Sequence, residues 1–177
     1  MGDRSMERVA RALEPRGIEV VRFNFPYRER GSKRIDPMPV LMESIAALAK
    51  HSGPQVLIGG RSMGGRAASM LAADGFPCAG VILLAYPLHP AGQPEKLRTA
   101  HWPRIKVPVL CINGTRDALC TPDLMKKALR DVDWTMHWLE AADHSFKVLK
   151  SSGRTEAEID AEVGEVSAGW LETFGLP

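Results

Sequence analysis

The sequence predicts an α/β domain, a three-layer α/β/α sandwich around a mostly parallel sheet of about five strands. Short apolar runs recur along the chain: Ile18 to Phe25, Val56 to Ile58, Val81 to Ala85, Val107 to Ile112, and Trp134 to Leu139. Amphipathic helical patterns stand between them, and alternating strands and helices build parallel sheets covered on both faces. The 177 residues suffice for one domain with a proper core, so the expected domain is the whole chain, 1–177.

Each element has its own signal. Met6, Val9, Ala10 and Leu13 recur at helical spacing before Pro15-Arg16-Gly17, so an amphipathic helix opens the chain and stops at glycine. Ile18 to Phe25 then reads as a strand. Pro39 suits the first turn of a second helix whose Leu41, Ile45 and Leu48 share a face and which ends near Gly53-Pro54. Val56 to Ile58 is followed by a helix from Met63 to about Asp74-Gly75. After the buried strand Val81 to Ala85 comes the long loop, proline-rich from Pro87 to Pro103. Behind strand Val107 to Ile112, Thr121 is expected to cap a helix and Pro122 to take its first position. The strand from Trp134 follows. Thr155-Glu156-Ala157-Glu158 has the form of a capping box, and Ile159, Val163, Val166 and Trp170 line one stripe of a closing helix.

Composition narrows the function classes. The net charge is +2 with basic and acidic residues interspersed, so neither nucleic acid nor an anionic membrane is an expected partner. Cys78, Cys111 and Cys120 are odd in number and lack metal-like spacing, which suggests reduced core thiols and a cytoplasmic protein. Charged residues follow Met1, and no apolar run is long enough to span a bilayer. No metal site and no cofactor are expected, because no His or Cys cluster has ligand spacing.

The chemistry lies behind the strand Val56-Leu57-Ile58, where Gly60-Arg61-Ser62-Met63-Gly64-Gly65 places a serine on a glycine-flanked turn. That is a nucleophile elbow: a Cβ on Gly60 or Gly64 is expected to collide with nearby backbone, and Gly65 continues the small stretch. The helix from Met63 points its first N–H groups and positive dipole end at the serine oxygen, where an oxyanion would be stabilised. Asp117 follows one later strand in Gly114-Thr115-Arg116-Asp117, and His144 follows the last in Asp143-His144-Ser145. Ser, Asp, His is the chain order of a hydrolase triad. His144 would serve as general base for Ser62, with Asp117 holding the imidazole tautomer. Asp143 is the competing acid.

Of the other histidines, His137 within a strand and His51 at a helix end read as structural or solvated. His89 and His101, in the long loop, are candidate substrate-lining residues, as is Arg98, with surface or loop packing as the alternative. Arg61 and Arg66 flank the elbow, where they would bind a carboxylate or phosphate or simply be ion-paired.

With these residues in view, the chain resembles the small serine α/β-hydrolases, in particular a bacterial group of the KANL/Tex type related in fold to dienelactone hydrolases. The likeness rests also on Arg22-Phe23-Asn24-Phe25-Pro26-Tyr27, Tyr86-Pro87-Leu88-His89-Pro90, Glu95-Lys96-Leu97-Arg98-Thr99 and Ser152-Gly153-Arg154-Thr155. It implies an α/β-hydrolase fold with Ser62, Asp117 and His144 as triad and the backbone N–H of Met63 as one oxyanion donor. Dienelactone hydrolases proper use cysteine, so their substrate is not implied. The family pattern opens with a mid-sheet strand and a His-Gly loop that supplies a second oxyanion donor; here the sequence starts within or after that loop. The expected fold is therefore N-terminally shortened. Either the strands at Ile18 and Val56 pair directly, or a second chain fills the gap as a homo-oligomer through an open sheet edge. The expected activity is cofactor-free hydrolysis of a small ester or thioester through an acyl-enzyme. The alternative is a hydrolase-fold protein of little or no catalysis serving as a binding or assembly module.

Overall fold

All six residues of Val109–Gly114 are buried, as expected of a strand with parallel neighbours on both edges and helices on both faces. The computed structural model, which describes residues 4–53 and 55–174, holds one four-stranded sheet in the order β1-β2-β3-β4. The strands are β1 (Leu57–Arg61), β2 (Gly80–Leu84), β3 (Val109–Gly114) and β4 (Thr135–Leu139). Every pairing is parallel, with Ile58 opposite Val81, Leu83 opposite Cys111, and Ile112 opposite His137.

Side chains alternate across a strand, and the core divides accordingly. Val81, Leu83, Val109 and Cys111 meet one helical layer, formed by α3 (Met38–Ala49), α4 (Met63–Ala73) and α5 (Pro122–Ala128) through Leu41, Ile45, Ala67, Leu71 and Met125. Leu84, Leu110 and Ile112 meet the other, formed by α1 (Arg4–Leu13) and α6 (Glu156–Glu172) through Val9, Leu13, Ile159, Val163 and Trp170. The sandwich expected from the sequence is present.

Several boundaries follow their signals. Helix α1 runs into a 3-10 turn closed by Gly17 at φ 79°, a left-handed position that suits glycine. Thr155 and Glu158 form the expected capping box. Thr121 is the N-cap of α5, yet its side chain makes no capping hydrogen bond. Strand β3 begins at Val109 rather than Val107, since Pro108 has no N–H for the ladder and offers only its carbonyl, to Val81 N. On α3 the buried stripe is Leu41, Ile45 and Ala49, while Leu48 is 43% exposed. The helix ends at Ala49; Pro54 lies outside the described residues.

The main departure is Ile18 to Phe25. Exposure alternates along residues 18–24 with a period of two, the pattern that suggested a strand, but among the described residues 18–24 make no backbone-to-backbone hydrogen bond. Nor does any described strand lie along the outer edge of β1. Among the described residues the sheet has four strands instead of about five, because period-two patterning becomes a strand only when a partner backbone comes within hydrogen-bonding reach. Phe25 then leads into the single turn α2 (Pro26–Glu29), with proline in its first turn.

Candidate active site

Strand β1 delivers Ser62 onto the C-terminal rim of the sheet. There Ser62 adopts φ 52° and ψ −115°, a sparsely populated conformation for a residue with a Cβ. Two hydrogen bonds hold it: its N–H donates to Leu84 O at 2.8 Å, and Arg66 N–H donates to its carbonyl at 3.0 Å. The turn closes because glycines let backbone meet backbone. A Cβ on Gly60 would lie 2.9 Å from Gly64 C, and one on Gly65 would lie 2.6 Å from Gly60 O. At Gly64 it would meet only the Phe25 ring, at 3.8 Å. The steric demand thus falls on Gly60 and Gly65; the collision expected at Gly64 is absent.

Asp117 is 1% exposed at the end of the turn after β3. Its Oδ1 accepts from Leu119 N–H at 2.8 Å, and its Oδ2 accepts from Asn113 Nδ2 at 3.2 Å and lies 2.7 Å from His144 Nδ1. The Nε2 of His144 lies 2.9 Å from Ser62 Oγ. A carboxylate can only accept, so this arrangement calls for a proton on Nδ1 and leaves Nε2 to accept from the serine hydroxyl. The three residues expected to act together are therefore one hydrogen-bonded chain from a buried carboxylate to a strained serine.

Other groups fix the histidine loop. Asp143, the competing acid, is occupied in turning the backbone: its Oδ1 accepts from Ser145 N–H at 2.7 Å and from Lys147 N–H at 3.0 Å. Arg61 Nη2 donates to His144 O at 2.9 Å and to Ser145 Oγ at 3.3 Å, so the side chain considered for anion binding reaches the histidine loop. Gly114 lets β3 press against that loop, since a Cβ there would sit 2.1 Å from Ala142 O. Among the described residues the non-glycine positions of positive φ are Ser62, Ala85, Ala141 and Phe146. All follow strand ends on this rim, where strain is characteristic of functional sites.

Asn113 was not singled out from the sequence. Fully buried, it accepts from Tyr86 N–H at 3.0 Å and donates through Nδ2 to Tyr86 O and to Asp117 Oδ2, both at 3.2 Å. It clamps the exit of β2 to the carboxylate. Its signal was one amide ending an otherwise apolar strand, two residues before a turn.

The weaker candidates divide. His101 is 8% exposed, with Nε2 2.8 Å from Ser69 Oγ; burial first, then the charges of Arg66 and Arg104, lower its pKa to about 4. His89 is 4% exposed, with Nδ1 2.8 Å from Pro90 O. Both histidines pack the long loop and do not line an open substrate surface, which corrects that expectation. Arg98 is half-buried, with Nη1 3.4 Å from Pro87 O. His137 pairs with Glu162 at 2.7 Å, and His51 bonds to Ala47 O. The thiols of Cys78, Cys111 and Cys120 are buried and unbridged, and burial raises their pKa. Met63 opens α4, where N–H groups of the first turn have no acceptor within the helix.

The family model described as alpha/beta hydrolase domain matches residues 1–172, and the chain belongs to that family. Solved structures agree on the fold. An α/β serine hydrolase homologue from Coxiella burnetii superposes with a TM-score of 0.71 at 20% identity, over 93% of this chain and 76% of that one. An esterase domain from a Rhodothermus marinus protein gives 0.70 at 17% identity, over 94% of this chain and 79% of that one. A lidless α/β serine hydrolase from Xanthomonas campestris gives 0.70 at 22% identity, over 96% and 75%. This chain is shorter than each of these neighbours. No helix among the described residues is long and apolar enough to cross a membrane.

Proposed function

We propose that this α/β hydrolase domain is a serine hydrolase that cleaves a small carboxylic ester or thioester through an acyl-enzyme. One observation carries the reading: His144 lies 2.7 Å from Asp117 and 2.9 Å from Ser62 Oγ through its two ring nitrogens. In acylation Ser62 Oγ attacks the carbonyl carbon as its proton passes to His144 Nε2. The tetrahedral oxyanion faces the Met63 N–H at the head of α4. As the C–O or C–S bond breaks, His144 returns the proton to the departing alcohol or thiol; a water, deprotonated by the same nitrogen, then releases the acid. Asp117 keeps Nδ1 protonated and stabilises the imidazolium.

The neighbours named as a serine hydrolase and an esterase domain support this class, and the sequence resemblance to the KANL/Tex group supports the narrower placement. The decisive test is labelling by a fluorophosphonate, expected at Ser62 and lost in Ser62→Ala. A second reading, a hydrolase-fold binding or assembly module, is favoured by the outer edge of β1, along which no described strand lies. A homo-oligomer formed through that edge would follow. Steady turnover of a simple acyl ester by the monomer would reject it.

A further inference from the structure

We infer that Arg66 and Arg98 form an anion-binding pair beside Ser62, which selects acyl groups ending in a carboxylate, such as half-esters of short dicarboxylic acids. This rests on the reading of Ser62 as nucleophile. The hydrolysis is unchanged: water adds across the ester C–O bond, and the distal carboxylate only binds.

Arg66 lies one helical turn beyond Ser62, to whose carbonyl its N–H is bonded at 3.0 Å. Helix side chains slant towards the N-terminus, a direction that would bring the guanidinium towards the serine turn. Arg98 reaches the same rim from the long loop: its Nη1 is 3.4 Å from Pro87 O, and its backbone carbonyl accepts from the buried Tyr86 hydroxyl at 2.8 Å. Leu84, bonded to Ser62 N, is three residues before Pro87, so their Cα atoms are at most about 11 Å apart. A short dicarboxylic acyl chain and the reach of an arginine together span such a gap.

Burial is the larger cause and the charge of Arg66 the next in lowering the pKa of Arg98. Yet neither has a carboxylate partner among the described residues, and the buried Nε of Arg66 has no hydrogen-bond acceptor. Several other arginines are ion-paired, among them Arg8 with Asp160, Arg30 with Asp36, Arg104 with Asp74, and Arg154 with Glu162. Two half-buried guanidinium groups without a counter-ion are costly. A bound carboxylate would supply the missing charge through bidentate, charge-assisted hydrogen bonds.

The test compares mono-p-nitrophenyl glutarate with p-nitrophenyl butyrate in the wild type, Arg66→Met and Arg98→Met. The wild type should favour the glutarate by about tenfold or more in kcat/KM, the scale of one charge-assisted contact. Each variant should lose most of that ratio through KM, and 0.5 M salt should erode it in the wild type. A neutral-ester preference in the wild type, or an equal ratio in all three proteins, overturns the pair. A second measurement needs no turnover: free glutarate, but not glutaramide, should raise the Tm of the wild type and not of either variant. Absence of that shift in the wild type also overturns it, even if a variant fails to fold. Fluorophosphonate labelling separates the two readings, because loss of labelling defeats the nucleophile while labelling without carboxylate preference defeats only the arginine pair.

Discussion

The rim that carries Ser62 and the segment at residues 18–24 are held in opposite degree. On the rim, Asp117 accepts three hydrogen bonds, Asn113 joins two loops, and Arg61 holds the carbonyl of His144. Along 18–24 no backbone pairing forms among the described residues, and Val21 and Phe23 are 68% and 36% exposed. The difference is that the proposed chemistry is built between β1 and the loop after β4, from groups that fix one another. The early segment contributes packing through Ile18 and Val20 to the α1 and α6 layer, but no rim hydrogen bond among the described residues. Changes on the rim should therefore be felt in turnover, and changes at 18–24 chiefly in association.

The sharpest break is Ser62→Ala, which should stay folded by circular dichroism and lower kcat by about 10⁵ to 10⁶, as loss of a serine nucleophile does. Persistence of turnover would move the chemistry off this rim. Next is Asp117→Asn, with an expected loss of about 10⁴ because the imidazole then takes the wrong tautomer. Asp143→Asn should cost far less, since its carboxylate turns the loop without touching the ring. If it costs more, Asp143 is the acid.

Backbone contact gives a third contrast. Gly114→Ala drives a Cβ to 2.1 Å from Ala142 O, so β3 and the histidine loop must part, at a cost of about 3 kcal/mol or more in stability. Gly64→Ala meets only ordinary contact at 3.8 Å and should change stability by less than about 1 kcal/mol. Val21→Thr, on the exposed segment, should stay within about 0.5 kcal/mol. Urea midpoints rank the three, and a mild Gly114→Ala would show that the rim is looser than its contacts indicate.

What was legible follows from the same contrast. The elbow, the acid turn and the histidine loop each carry a local signature, because each needs particular residues at fixed spacing after a strand. The strand at Ile18 carried a local signature too, but pairing is a relation between distant backbones, and no local pattern reports whether the partner is there. The single turn at Pro26 hid behind that same run. Burial was the other blind spot: His89 and His101 sit in loop sequence that looks exposed, and only the packing of Tyr86, Trp102 and Trp134 shows the loop to be part of the core on the α3, α4 and α5 face, with the two indoles 4.1 Å apart. Asn113 escaped notice for a related reason, since an amide at a strand end acquires its meaning from what the next loops bring to it.

The smallest expected effect tests whether that loop is part of the rim. Ser69 Oγ donates to Arg66 O at 2.8 Å, so it accepts from His101, which must carry its proton on Nε2. Protonating Nδ1 as well would put a positive charge near those of Arg66 and Arg104, and these, after burial, are why the folded-state pKa lies at about 4. An unfolded histidine titrates near 6.5. Above about pH 6.5 neither state binds the proton and the contribution is fully present; as pH falls from there towards 4, only the unfolded chain gains the proton and stability is lost. The wild type should therefore lose on the order of 2 kcal/mol between pH 7.5 and 4.5 that His101→Gln does not lose, since glutamine keeps an N–H for Ser69 without titrating. Equal pH slopes in the two proteins would mean that the His101 environment opens to water, and that the loop bearing Arg98 is no firmer than residues 18–24.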